Sequence, residues 1–385
     1  MGEERATLTV IMPVYNSAPY LERALNSTIN QTKCPDEIIC VDDGSTDDSL
    51  KILNDLASKN SIIKVIHTEN HGEISAKKTA LKVAIGEYIS FVDSDDWIES
   101  NMFEEMLGYA TAFNADVVTS GCVRDYGDTV VYEYEHFDEG VYRNEELNSI
   151  KSALIDTRIF FRKNIAVNVV NKIFRKDILY KHQMDAPNRV SIGEDIIVAY
   201  PCIMDSRCIY VTGKCYYHYC IRGDSVMGAM DPRKYESIKM MLAYLKAKFD
   251  ESTIEHVAVN KQYQFYDTFM HLFWKPEEVL YYENGNLRFY GNITENSKVA
   301  IYGAGKFGVS LERFIRENTS IDVVAWVDKS SSRERVIKPE KLADIEYDII
   351  LIAILLADVV EQVVDQLQNM GIEKKKIRVI DPICG

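Results

Sequence analysis

The chain has 385 residues, 46% of them hydrophobic and 27% charged, and a formal net charge of −15. That length allows two domains with an element between them, and the acidic balance excludes a broad nucleic-acid-binding surface. The eight cysteines, at 34, 40, 122, 202, 208, 215, 220 and 384, include no Cys-x-x-Cys pair, so neither a zinc site nor a disulfide framework is expected.

The chain begins Met1-Gly2-Glu3-Glu4-Arg5, too charged for a signal peptide, and Ala6 breaks the myristoylation pattern. Leu8–Met12 reads as a strand, followed by a helix capped by Ser17 with Pro19 in its first turn. Ile38–Val41 is the next strand, and Ser45-Thr46-Asp47 opens a helix with Leu50, Leu53 and Leu56 inward. A strand over 62–67, a helix over about 74–84, a strand at Tyr88–Val92, a helix over 101–113 and a strand at 117–120 complete the series. Repeated β-α-β units with short turns predict a doubly wound sheet. From 121 to 230 periodicity is poor and aromatics abound. Residues 231–290 read as helical, and 292–297 as a linker. A new α/β unit opens at Lys298, with strands at 299–302, 323–327 and 349–355 and a helix from about 359 to 370. The longest apolar stretch, Ile349 to Ala357, is far below the length that spans a bilayer. Any membrane contact is therefore expected to be peripheral.

Two strands end in carboxylates: Val41-Asp42-Asp43-Gly44-Ser45 and Val92-Asp93-Ser94-Asp95-Asp96-Trp97. Each turn alone reads equally well as a helix cap. Together, at the carboxyl ends of parallel strands, they mark a ligand crevice. Acids gathered there repel one another unless a cation compensates, and a divalent metal carrying a diphosphate fits that need.

With Val10-Ile11-Met12-Pro13-Val14-Tyr15-Asn16 before them and Gly86-Glu87-Tyr88-Ile89 between them, these turns resemble the nucleotide-binding half of a family 2 glycosyltransferase with the GT-A fold. The resemblance covers residues 7–120 and extends loosely to about 228. It implies a metal-dependent, inverting hexosyltransferase that uses a UDP-sugar in bacterial surface polysaccharide synthesis. Pro13, Val14 and Tyr15 would line the base pocket, with Asp43 accepting from the ring N–H of uracil. Lys77 stands where the family often has an arginine near the base and phosphates. A lysine there is a point charge without the bidentate fork. Asp93, Ser94 and Asp95 would hold the donor, Asp93 and Asp95 ligating Mn²⁺ or Mg²⁺. Gly193-Glu194-Asp195 resembles the motif that supplies the catalytic base, with Asp195 in that role and Glu194 as the substitute. His218 and Arg222, in a Tyr-rich stretch, would touch the donor diphosphate, the metal or the acceptor; for His218, simple packing is the stronger reading.

The resemblance implies a GT-A domain over 1–228, divided into a nucleotide-binding half at 7–120 and an acceptor-side region at 121–228. A helical connector at 229–296 and a Rossmann-like domain at 297–385 follow. In the last of these, Gly303-x-Gly305-x-x-Gly308 follows a strand and opens a helix, and Asp328 lies 20 residues beyond. That context suits an NAD-type nucleotide, the acid facing a ribose hydroxyl. A nucleotide-binding enzyme or sensor centred there is the alternative to the transferase. A sugar-1-phosphate nucleotidyltransferase is disfavoured, because 13–17 lacks the glycine-rich basic loop that holds a triphosphate. Expected partners are the UDP-sugar and a glycan or lipid-linked saccharide acceptor, with no nucleic acid. The expected location is cytoplasmic, at the inner face of the membrane, and the aromatic stretch 231–290 offers an oligomer contact.

Overall fold

The computed structural model describes residues 6–155, 163–221, 232–251 and 256–381. The chain divides into two units: Met1–Leu154 with Lys163–Asn260, and Ile155–Arg162 with Lys261–Gly385.

The first unit opens with β1 (Leu8–Val14), α1 (Ala18–Ile29), β2 (Glu37–Asp43), α2 (Ser49–Lys59), β3 (Ile63–Thr68), α3 (Glu73–Val83) and β4 (Tyr88–Phe91). The four strands are parallel and lie in the order β3-β2-β1-β4. Every residue of β2 is buried. This explains its unbroken apolar run, since a strand covered on both faces has no reason to alternate. Each fully buried Ile, Leu or Val contributes about 1.5–3 kcal/mol.

Next come β5 (Trp97–Ile98), α4 (Met102–Ala112), β6 (Val117–Asp125), β7 (Val130–Glu133), β8 (Gly140–Arg143) and α5 (Asn144–Lys151). After them lie β9 (Lys172–Arg175), α6 (Lys176–Asp185), α7 (Ile196–Asp205), β10 (Cys208–Cys220) and α8 (Pro232–Asp250). The sheet continues β4-β9-β6-β10-β5, with β9 antiparallel to both neighbours, so the whole is mixed. The region whose periodicity is poor thus holds the longest strand, β10, of 13 residues. Its register against β6 shifts twice, between Val211 and Tyr217, and such irregularities erase the alternation that would reveal it.

Two local expectations need correction. Ser17 precedes α1 but gives it no side-chain cap; its hydroxyl goes to Tyr15 O and to Ser94 Oγ. The helix expected to open at Ser45 starts at Ser49, because Asp47 is spent bridging the backbone N–H groups of Ser49 and Ala18.

α9 (His256–Trp274) contains the division between the units. The helical reading of 231–290 holds through α9 and then fails. β11 (Tyr282–Glu283), β12 (Asn286–Leu287) and β13 (Gly291–Asn292) form a small antiparallel sheet there. Asn284 and Gly285, both at positive φ, make its first turn. The second unit then alternates β14 (Lys298–Tyr302), α10 (Lys306–Asn318), β15 (Asp322–Val327), β16 (Val336–Ile337), β17 (Ile349–Ile352), α11 (Ala357–Asn369) and β18 (Ile377–Arg378). These strands form a parallel five-stranded sheet, β16-β15-β14-β17-β18. Among the described residues no helix is long and apolar enough to cross a membrane.

Candidate active site

Strand order in the first unit reverses at β1, which lies between β2 and β4. The crevice beyond the carboxyl ends at such a reversal is where open α/β sheets hold ligands. Both acidic turns empty into it, Asp43 ending β2 and Asp93 following β4. Asp43 is 4% exposed. Its carboxylate accepts from the backbone N–H of His71 at 2.9 Å and of Gly72 at 2.8 Å, just before α3. It therefore fixes the loop facing the crevice, and a base contact there would use its remaining lone pairs. Asp42 is fully buried and paired with His67 Nδ1 at 2.6 Å. At the end of β1 Tyr15 is half-exposed and Pro13 partly so, whereas Val14 is sealed in the core. Of the three expected pocket residues only Pro13 and Tyr15 present surface. The correction follows from the strand, which turns neighbouring side chains to opposite sides.

The Asp93–Asp96 turn is braced from four directions. The Asp93 N–H donates to the Tyr217 hydroxyl at 3.0 Å, which donates onward to Asp96 Oδ2 at 2.8 Å. Asp96 Oδ1 accepts from the Cys220 N–H at 2.8 Å. The Ser94 hydroxyl meets that of Ser17 at 2.6 Å, and Arg23 donates to Asp95 O at 2.6 Å. Burial, with Asp95 adding to it, pushes Asp96 up to about 7 despite the opposing Cys220 and Tyr217 bonds. Asp96 is thus a structural clamp on β10.

Asp93 Oδ1 is sealed from solvent without a hydrogen-bond partner among the described residues. Burial first, then the charge of Glu73, holds this carboxyl well above its ordinary range; Lys77 opposes and Asp96 and Asp195 add to the rise. An orphaned buried oxygen among like charges is what a divalent cation would relieve, so the residues fit Mn²⁺ or Mg²⁺. Among the described residues no three His, Cys, Asp or Glu side chains converge as a metal cage. Two carboxylates completed by substrate phosphates need no such cage.

Lys77 is 3% exposed and pairs with Glu73 at 2.5 Å and Asp195 Oδ1 at 3.2 Å. Burial alone would lower its pKa. Asp195, Glu73 and Asp93 override that and hold it well above the ordinary lysine value. Asp195 sits at the N-cap position of α7, and its Oδ2 accepts from the Val169 N–H at 3.3 Å. Its neighbour Glu194 is pushed up to about 8 by burial, then by Glu73 and Asp195. Lys77 opposes that rise in Glu194 and also pairs directly with Asp195.

His218 stacks on Trp97 with centroids 3.4 Å apart, and its Nε2 meets Glu99 at 2.8 Å. This is the packed arrangement, although Nδ1 is buried without a partner among the described residues. Arg222 lies outside the described residues. At the start of β9, Lys172 is fully buried and donates to Ala166 O, Asn168 O and Asn171 Oδ1, each at 2.8 Å. That ammonium ties down the loop whose Val169 N–H reaches Asp195.

In the second unit Gly308 packs against Gly303, where an added Cβ would stand 2.0 Å from Gly303 O. Around Gly305 the space is open, and it precedes α10 directly. Asp328 is already engaged: Oδ2 accepts from the Ala304 N–H, and Oδ1 from those of Ser330 and Ser331, all at 2.8 Å. It shapes the glycine loop and its own turn, leaving less capacity for a ribose.

The crevice thus gathers Asp43, Asp93, Asp95, Lys77, Glu194 and Asp195, all expected from sequence. Glu73 and Tyr217 were not. Glu73 stands four residues before Lys77 on one helix, a spacing that signals an ion pair. Tyr217 has no local signal, being 124 residues from Asp93.

Residues 9–182 match the family described as glycosyl transferase family 2, and residues 295–378 match C2185-like, N-terminal. The chain is 27% identical over 305 residues to poly(ribitol-phosphate) beta-glucosyltransferase of Bacillus spizizenii, covering 70% of this chain and 45% of that protein. It is 32% identical over 195 residues to cholesterol galactosyltransferase of Borreliella burgdorferi, covering 49% and 53%. The chain spans about half the length of these relatives. Among solved structures, S. aureus TarS 1-349 in complex with UDP aligns with a TM-score of 0.53 at 24% identity, covering 70% of this chain and 73% of that one. The same protein in complex with UDP-GlcNAc gives 0.54 at 23%, over 70% and 74%. At such identity the likeness speaks for the fold, a large mixed α/β sheet.

Proposed function

We propose, from the match of residues 9–182 to glycosyl transferase family 2, that this chain is a metal-dependent, inverting hexosyltransferase. Its donor is a UDP-sugar, and its acceptor is a hydroxyl of a glycan or lipid-linked saccharide in bacterial surface polysaccharide synthesis. The relative named for poly(ribitol-phosphate) and the neighbour crystallised with UDP support this reading. The observation that carries it is the meeting of Lys77, from the nucleotide-binding half, with Asp195, from the acceptor-side region.

In this reading Tyr15, Pro13 and Asp43 receive the base. Asp93 and Asp95 hold Mn²⁺ or Mg²⁺, which when bound offsets the charge developing on the departing diphosphate. Lys77 keeps a fixed positive charge beside the crevice. Asp195 takes the proton of the acceptor hydroxyl as its oxygen bonds to the anomeric carbon and the bond to the UDP oxygen breaks. Attack in line inverts the configuration. Glu194, with its pKa near 8, is mostly protonated at neutral pH and is the poorer base.

Release of UDP in the presence of Mn²⁺ and a saccharide acceptor tests the assignment. Asp95→Ala abolishes it, and Asp195→Asn lowers kcat by roughly 10²–10⁴-fold, the usual worth of a positioned base. Wild-type turnover in both variants overturns the reading.

A second reading concerns the C-terminal unit, where the open space at Gly305 favours a nucleotide phosphate near the start of α10. We place this unit as a Rossmann-like module without catalysis of its own. Calorimetric titration with NAD(H) decides whether it binds a nucleotide.

A further inference from the structure

The loop carrying Glu194 and Asp195 is held in shape by a helix from later in the chain. Ser237, 4% exposed on α8, accepts the backbone N–H of Ser191 at 2.8 Å and that of Ile192 at 3.2 Å. One turn further along, Met241 is fully buried against Gly193. Gly193 has φ +77°, and a Cβ there would stand 3.0 Å from Met241 Cγ. The loop therefore needs glycine for its left-handed backbone, and α8 packs close against it through Met241.

The same helix is fastened at its far end. Tyr244 donates to Asp185 Oδ2 at 2.9 Å, and Lys248 pairs with Asp185 at 2.8 Å. Positions 237, 241, 244 and 248 follow the three-and-four spacing that places side chains on one helical face. One face of α8 thus spans from the end of α6 to the loop before α7.

We propose that Ser237 is a positioning residue for the transfer reaction, and that α8 sets the place of Asp195 through the backbone of residues 191–193. The proposal rests on the reading of Asp195 as the base. Ser237 touches no reacting atom. It supplies the acceptor for two consecutive backbone donors where the chain turns into the catalytic acid, and a buried N–H left without a partner is relieved by movement of its loop. Displacement of a base by about 1 Å is enough to cost on the order of 10²-fold in rate.

The test compares Ser237→Ala with Ser237→Thr, which keeps a hydroxyl, in the full chain. For Ser237→Ala, kcat falls by about 10–100-fold. KM for the UDP-sugar, and the calorimetric affinity for UDP with Mn²⁺, stay within about twofold, because the Asp93–Asp95 turn is held by other residues. Hydrogen exchange at the Ser191 and Ile192 amides becomes faster. Ser237→Thr restores most of kcat. Unchanged kcat in Ser237→Ala overturns the proposal, as does a loss of UDP affinity matching the loss of rate, or a Thr variant with intact UDP binding that does not recover. Exchange at Ser191 and Ile192 that stays at the wild-type rate also overturns it. Failure of the base assignment looks different: Asp195→Asn then turns over normally while Ser237→Ala still loosens the two amides.

Discussion

Lys77 Nζ lies 3.2 Å from Asp195 Oδ1, although 118 residues separate the two in the chain. With Glu73 on the same ammonium at 2.5 Å, a single cation serves carboxylates from both halves of the first unit. Burial works against that charge and the surrounding acids sustain it.

Replacing Lys77 by Met therefore removes the cation and leaves the acids. Breaking a fully buried pair costs about 3–5 kcal/mol. Here the Glu73 and Asp195 side chains are 40% and 24% exposed and recover some hydration. A loss of about 2 kcal/mol is expected in urea unfolding with EDTA present. Full wild-type stability would remove Lys77 from the framework of the site.

Glu194 makes stability depend on pH. Its pKa is near 8 in the fold against 4.5 as the ordinary value. Between those values the folded chain holds a proton that the unfolded chain has released, so this contribution is complete below 4.5 and is lost as pH rises through 8. Without donor and metal, Glu194→Gln should unfold at a higher temperature than wild type at pH 8 and show little difference at pH 4.5. A gap that widens toward acid would reverse the assignment.

Tyr217 bridges the Asp93 N–H and the Asp96 carboxylate through one hydroxyl. Tyr217→Phe strands both partners inside the protein, at about 1–3 kcal/mol. It also loosens the turn that presents Asp93 and Asp95, so UDP affinity with Mn²⁺ should fall. Tyr180→Phe, on a side chain 42% exposed in α6, is the control and should leave both measurements alone.

In the second unit Tyr302 is 3% exposed, and its hydroxyl finds no hydrogen-bond partner among the described residues. Tyr302→Phe is thus expected to be neutral or to stabilise by up to about 1 kcal/mol. A loss above that in chemical denaturation would mean the hydroxyl has a role.

The parallel strands and the two acidic turns could be read from the chain because their signals are local. Ile38–Val41 and Tyr88–Val92 are apolar runs that end in Asp, and burial on both faces requires such runs. The Gly-Glu-Asp loop was legible through its resemblance to a family. What could not be read depends on distance along the chain. Nothing near residue 217 announces a hydroxyl meant for Asp93, and nothing near 237 announces an acceptor for the backbone at 191. The bulges of β10 mask its alternation, and Ser17 looks like a cap until Ser94 comes within reach. Asp328 matched its expected position in sequence, yet three backbone donors take up its carboxylate.

The bracing of Asp96 bears on how this protein matures. The stretch that matches the family ends at 182, whereas Tyr217 and Cys220, which fasten the Asp-Ser-Asp-Asp turn, emerge from the ribosome afterwards. A nascent chain released or cut between those points would own both acidic turns and still lack the strand that braces the second of them. The Asp93–Asp96 turn thus gains its bracing late in synthesis, once β10 lies between β5 and β6.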